Sequence, residues 1–208
     1  LTRQVIGLLS PDSGKIWVEG VDVSGFDEPE FMPIRQKCQM IFQHATLFEA
    51  MSVLENVAMP IRKRFGVDAA QALARARKAL ERVHLSEGLQ RMPAQLGAGV
   101  KKRVAIARAI ALEPEIMLYD EPTTSLDPVS ARRTDRLIRE MADKLGITSM
   151  VVSHDLTSLK SIADRVTFLE GGHIVFNGTP QEMLRSQDPV LQSFVGDSDK
   201  RWEPKVCA

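Results

Sequence analysis

The sequence predicts an α/β fold, a parallel sheet with helices on both faces and a helical subdomain inserted into it. Three observations carry this prediction. From residue 116 onward, short apolar strands alternate with helices in the order strand, helix, strand, helix, hairpin. Residues 44–114 are rich in helical pattern and stand between one early strand and that series. The 208 residues are 44% hydrophobic but only 5% aromatic, enough for one domain with a mainly aliphatic core.

Taken in order, Val5, Ile6, Leu8 and Leu9 predict the buried side of a first helix ending near Ser10, where "SPDSG" turns the chain. "KIWVEGVDV" gives two short extended pieces around Gly20, and "CQMIFQ" a buried strand. Residues 44–60 are irregular, then helical. From Asp68 to His84, Ala69, Leu73, Ala76, Leu80 and Val83 fall at three- and four-residue intervals, with Arg75, Arg77, Lys78, Glu81 and Arg82 on the other faces. A further helix covers about Val100 to Leu112, and "IMLY" is a fully apolar strand. Asp127 and Pro128 form an N-cap and first helical position. That helix turns Leu137, Ile138, Met141 and Leu145 inward and stops at Gly146. "TSMVVS" is the next buried strand, "LTSLKSIAD" the next helix, and "RVTFLEGGHIVFNG" a hairpin turning at Gly171–Gly172. The polar "DSDKRWEPKVCA" at the C-terminus predicts a loose tail.

Composition narrows the function. Lys+Arg and Asp+Glu balance at 27 each, which weighs against phosphate-backbone binding and so against a nucleic-acid partner. Cys38 and Cys207 lie far apart, giving neither metal spacing nor a disulfide framework. No apolar run approaches the ~20 residues that span a bilayer, and no signal peptide is recognisable. The expectation is a soluble cytoplasmic domain, able to dock on a membrane protein.

The strongest chemical signal is "IMLYDEPTTSLDP". A buried strand delivers Asp120 and Glu121 to its C-terminal end, the edge where open α/β sheets bind ligands. Adjacent strand residues point to opposite sides. One acid can therefore hold a hydrated Mg²⁺ while the other orients and deprotonates water. His154 ends the next apolar strand, which in a parallel sheet reaches the same edge. Gln43 ends "CQMIFQ" and offers an amide that can touch both metal and water. In "QLGAGVKKRVAIARAI", Gly97, Ala98 and Gly99 open a helix whose unpaired N–H groups suit phosphate. Lys101, Lys102 and Arg103 are expected on a solvated face.

Together and in this order, these residues resemble the ATP-binding subunit of ABC transporters, over about residues 1–180. Gln43 matches the glutamine loop, "QLGAGVKKR" the signature loop and "IMLYDEP" the Walker B strand. "SLDP" matches the loop whose aspartate couples two sites, and His154 the switch histidine. "FQHATLFEAMSVLENVAMPIR", "ALEPEIMLYDEPTTSLDPVSARRTDRLI" and "SIADRVTFLEGGHIVFNGTP" look most like the ATPases of Mla-type (toluene-tolerance) lipid transporters. The fold implied is a P-loop NTPase core, residues 1–43 with 115–179. A helical, signature-bearing subdomain occupies 44–114, and a C-terminal helix and tail 180–208. The cofactors implied are ATP and Mg²⁺. By motif, Glu121 and His154 would be catalytic. Gln43 and Asp120 would serve the metal, and Gly97, Ala98, Gly99 and Asp127 the nucleotide, the last across a dimer interface. The partners implied are a second ATPase subunit, identical to the first, and a membrane permease contacting about residues 44–60. The stretch after Gly178 is expected to pack on the second subunit. The place implied is the cytoplasmic face of the inner membrane, and the cargo phospholipid.

Two departures from the family pattern stand out. The phosphate loop GxxGxGK[ST] occurs nowhere, and in relatives it directly precedes a helix like "LTRQVIGLL". The expectation is an N-terminally truncated member, without the early strands and inactive alone. The Asp120 strand is then expected to lack a sheet neighbour, leaving an apolar edge and a segment that folds poorly by itself. The second departure is Leu96-Gly97-Ala98-Gly99 where the family reads LSGG, which removes a hydroxyl donor to phosphate. Both departures also suit a non-hydrolysing regulatory or scaffold subunit. An intact "DEP" and His154 oppose that alternative. A DNA-repair or translation ATPase would bring coiled-coil inserts or tandem domains, and neither is present.

Overall fold

The computed structural model describes residues 1–200, with side chains described through 196. Cys207 and most of the predicted loose tail lie outside the described residues. Two compact units divide at Val152 and Ser153.

The first unit holds a three-stranded parallel sheet of β3 (Cys38–Ile41), β4 (Ile116–Asp120) and β5 (Thr148–Val152), with β4 in the middle. Cys38 pairs with Ile116 and Ile41 with Tyr119 on one side. Ile116 pairs with Thr148 and Asp120 with Val152 on the other. The Asp120 strand therefore has a ladder partner on each side, contrary to the expectation of a missing neighbour. The central position explains why Met117, Leu118 and Tyr119 are essentially fully buried, whichever way they point. The outer strand β5, read from its sequence as buried, is only half-buried, and Val152 is exposed.

Ahead of the sheet lie α1 (Thr2–Val5), a small antiparallel pair of β1 (Trp17–Val18) and β2 (Val21–Asp22), and α2 (Phe31–Lys37). The first helix is shorter than its apolar spacing suggested. Gly7 adopts φ +69°, and a Cβ there would lie 2.4 Å from the Phe31 ring. Arg35 fixes the turn by donating from Nε to the Ile6 carbonyl at 2.8 Å and from Nη2 to Gly7 at 3.2 Å. Ile6 is buried with Val18, Val23, Phe31, Ile34 and Leu118, but Leu8 and Leu9 are exposed.

Between β3 and β4 come α3 (Val53–Phe65), α4 (Ala69–Arg82), a 3-10 turn and α5 (Ala98–Ile110), which pack on one another. Ser52 opens α3 with a capping box to Glu55, and Gly66 closes it at φ +63°. Asp68 caps α4. The buried face of α4 is Ala72, Ala76, Ala79 and Leu80, so Ala72 takes the place expected of Ala69, which is exposed. In and beside these helices Val57, Ile61, Leu80, Val83, Val104 and Ile106 are fully buried, and all are aliphatic. α6 (Pro128–Leu145) starts at Asp127 and stops at Gly146, as the sequence predicts.

The second unit contains α7 (Leu156–Ile162), β6 (Val166–Glu170), β7 (His173–Gly178), α8 (Pro180–Arg185) and α9 (Pro189–Lys200). β6 and β7 form the predicted hairpin. Glu170 faces His173 across Gly171 and Gly172, both at positive φ, as a two-residue turn demands. Leu156, Val166, Met183 and Leu191 form its core, with Phe168 and Phe194 edge to face at 5.1 Å.

Candidate functional site

The parallel register delivers three strand ends to one edge. β4 ends at Asp120, opposite Val152 of β5, and β3 ends one residue earlier, opposite Tyr119, before Phe42 and Gln43. Gln43 is exposed there. Glu121 lies beyond the strand proper, so the two acids do not simply alternate along it. Its backbone turns to φ +49°, a left-handed conformation uncommon for a side chain with a Cβ. Bonds from two directions help hold it there. Its N–H donates to the Val152 carbonyl at 2.9 Å, and its carboxylate accepts from Thr124 Oγ1 at 2.8 Å. A strained residue fixed by its surroundings is the kind of position active sites favour.

Asp127 caps α6, accepting from the N–H groups of Val129 at 3.1 Å and Ser130 at 3.0 Å. The Ser130 hydroxyl and then these backbone groups hold its carboxyl below the ordinary aspartate value. Ser130 also meets the other predicted loop. A Cβ on Gly99 would come within 2.7 Å of Ser130 Oγ, so only glycine lets the two helix starts approach this closely. The structure thus brings Gly99 and Asp127 to either side of Ser130. Gly97 is the N-cap of α5 and, with no side chain, contributes no capping bond. Gly97 and Ala98 are exposed. His154 is the second residue of the second unit and is exposed, two residues past the end of β5.

The residue that sequence reading missed is Lys102. Expected on a solvated face, it is 2% exposed. Its Nζ donates to the carbonyls of Phe42 at 3.0 Å and Gln43 at 2.7 Å. Burial pushes the amine down to about 8, and the nearby Asp120 carboxylate opposes that shift. The signal was its spacing: Lys102 stands three and four residues before Ala105 and Ile106, on the buried stripe of α5. Lys101 and Arg103 are both partly buried, Lys101 beside Glu49 and Arg103 donating to the His84 carbonyl.

Among the described residues no group of three or more His, Cys, Asp or Glu could hold a metal. One strand-end carboxylate, Asp120, and one exposed amide, Gln43, together make only a sparse, hard oxygen donor set. It fits Mg²⁺, which keeps several waters and takes phosphate oxygens. No described helix is long and apolar enough to cross a membrane.

A groove of about 300 Å³ opens beside this edge, lined by Phe42, Thr46, Phe48, Met59, Pro60 and Arg108 among others. Phe48, one of the lining residues, is held by Asn56, which is fully buried. The Asn56 amide donates to the carbonyls of Phe48, Met51 and Ser52 at 3.0 Å, and its oxygen accepts from the Phe48 N–H at 2.8 Å.

Comparison with known proteins shows the family and the fold. The ABC transporter family profile matches residues 1–124. The methionine import ATP-binding protein MetN of Rhizobium etli is 40% identical over 197 residues, covering 94% of this chain and 54% of that protein. MetN of Carboxydothermus hydrogenoformans is 38% identical, covering 94% and 58%. The chain spans about half the length of the curated relatives it matches. Among solved structures, cbiO1 of Clostridium perfringens, part of the ABC transporter complex cbiONQ, superposes with a TM-score of 0.80 at 27% identity over 93% of this chain and 76% of that one. The dimeric post-hydrolysis state of the ATP-binding cassette MJ0796, bound to ADP and Pi, gives 0.77 at 28% identity over 86% and 78%. The α/β architecture, the strand-end acids and this match over more than half its length lead to one conclusion: the chain belongs to the ABC transporter family, as a member of its ATP-binding cassettes.

Proposed function

We propose that this chain binds and hydrolyses ATP to power a membrane permease. The observation that carries the reading is the sheet edge where Gln43, Asp120 and Glu121 emerge from neighbouring parallel strands in a chain of this family. Asp120, with Gln43, would hold Mg²⁺. When bound, that ion would neutralise charge developing on the phosphates. Glu121, fixed by Val152 and Thr124, takes the proton of the attacking water, and Gln43 contacts the terminal phosphate; His154 of the second unit matches the family's switch histidine by motif. Gly97, Ala98 and Gly99 present helix N–H groups to the nucleotide of a second, identical subunit, and Asp127 acts across that interface. The dimeric state of the MJ0796 cassette supports the pairing. Ala45, Thr46, Phe48, Met59 and Pro60 bring part of the groove's lining from residues 44–60, and this supports that segment as the permease contact. The working place is then the cytoplasmic face of the membrane.

The cargo is a separate matter, because none of these residues reads it. Segment resemblance points to phospholipid of the Mla type. The curated relatives named above give that no support and carry methionine import names instead. Uptake of labelled methionine against phospholipid transfer, assayed with the cognate permease, separates the two. A non-hydrolysing scaffold is the second reading, and the side-chain-free cap at Gly97 favours it.

The test is Glu121→Gln in the complete gene product assembled with its permease. Loss of the water-activating base lowers turnover about 10²- to 10⁴-fold with nucleotide still bound. Parent-level turnover in the variant would overturn the reading. A parent that binds nucleotide but does not turn over would favour the scaffold.

A further inference from the structure

Lys102 poses a problem that packing alone does not solve. A buried ammonium is costly unless well partnered, and a methionine would fill the same stripe of α5 without that cost. The partners the structure gives it are two consecutive carbonyls, Phe42 and Gln43, which lie 60 and 59 residues earlier in the chain. Both stand just past the end of β3, where the ladder to β4 no longer satisfies them. Lys102 itself sits one turn into α5, four residues after Ala98 and three after Gly99. One side chain therefore joins the backbone of Gln43 to the helix whose N-terminus is Gly97–Gly99.

We propose that Lys102 is a positioning residue that tethers the Phe42–Gln43 backbone to the start of α5, so that Gln43 and the Gly97–Gly99 loop are seated together. The functional consequence rests on the reading above, in which both segments contact nucleotide. The tether itself does not. Its ammonium has three donors and uses two on neighbouring carbonyls, which fixes the peptide plane between Phe42 and Gln43. A tilt of α5 then turns that plane, and a displaced Gln43 strains α5.

The experiment compares the complete gene product with K102M, K102Q and K102R. Hydrogen exchange without nucleotide tests the tether. Loss of a charge-assisted bond predicts that in K102M the amides of residues 42–47 and 97–101 exchange together, about ten- to a hundredfold faster. Protection in α4 and β5 stays unchanged, and K102R, which keeps the charge, restores most of the effect. Unchanged exchange in either segment overturns the proposal. If K102M does not fold, K102Q decides by the same criterion. ATP turnover with the permease tests the consequence. kcat falls while the nucleotide dissociation constant holds, and K102R recovers kcat. Coupled exchange with unaltered kcat would overturn the positioning role. A parent without ATPase activity would sink the proposed function and leave the exchange result to judge the tether by itself.

Discussion

Cys38 shows how far one residue's surroundings set its chemistry. Its thiol is 2% exposed, and burial, helped by Glu19, pushes it up to about 11 from an ordinary value of 9.0. At pH 8 the native thiolate is then roughly a hundredfold scarcer than in the unfolded chain, and thiolate is the reactive form. Iodoacetamide should label Cys38 slowly in native protein and promptly in denaturant, read by peptide mapping. Because the folded state keeps its proton longer, the stability linked to this group is complete below pH 9 and is lost as pH rises toward 11. Rapid native labelling would contradict the burial. Residue-scale features differ in how openly the sequence declares them. Asp127 followed by Pro128 announces a helix start, because capping is local chemistry. Lys102 and the left-handed Glu121 do not announce themselves, because their partners, Gln43 and Val152, are remote in sequence.

At the level of elements, α5 carries an unusual beginning. Its N-cap is Gly97, so the helix opens without a side-chain bond. Serine there would add a few tenths of a kcal/mol to the helix and a donor toward phosphate. A hydrogen bond to a charged group corresponds to about ten- to a hundredfold in that contact. Gly97→Ser with Ala98→Gly, in the complete gene product with its permease, should therefore raise ATP turnover several-fold. Unchanged turnover would mean that the loop does not limit closure. Gly99 must stay, because Ser130 leaves no room for a Cβ. Most helices were legible from apolar spacing and caps. The first was overestimated because its end is set by Phe31 and Arg35, two residues of another helix. Periodicity within LTRQVIGLL has no access to that contact.

For the whole chain, the parallel sheet was readable because "IMLY" and "TSMVV" are apolar runs too short for helices. Strand order was not readable, since it depends on which faces the intervening helices cover. The middle strand β4 proves partnered on both sides, and its burial makes it sensitive to a cavity. Leu118, 1% exposed, packs with Ile6, Val18, Phe31, Ile34 and Cys38. Leu118→Ala should cost about 2–5 kcal/mol, measured by denaturant unfolding. A loss under 1 kcal/mol would show that this cluster collapses around the gap. The Asn56 amide has a consequence of a different kind. By tying Phe48, a lining residue of the groove, to Ser52 it fixes that stretch of wall before anything arrives. A permease segment settling there would meet a mould already cast. The heat-capacity change of association should then follow the covered area alone, with no increment from a loop freezing into shape.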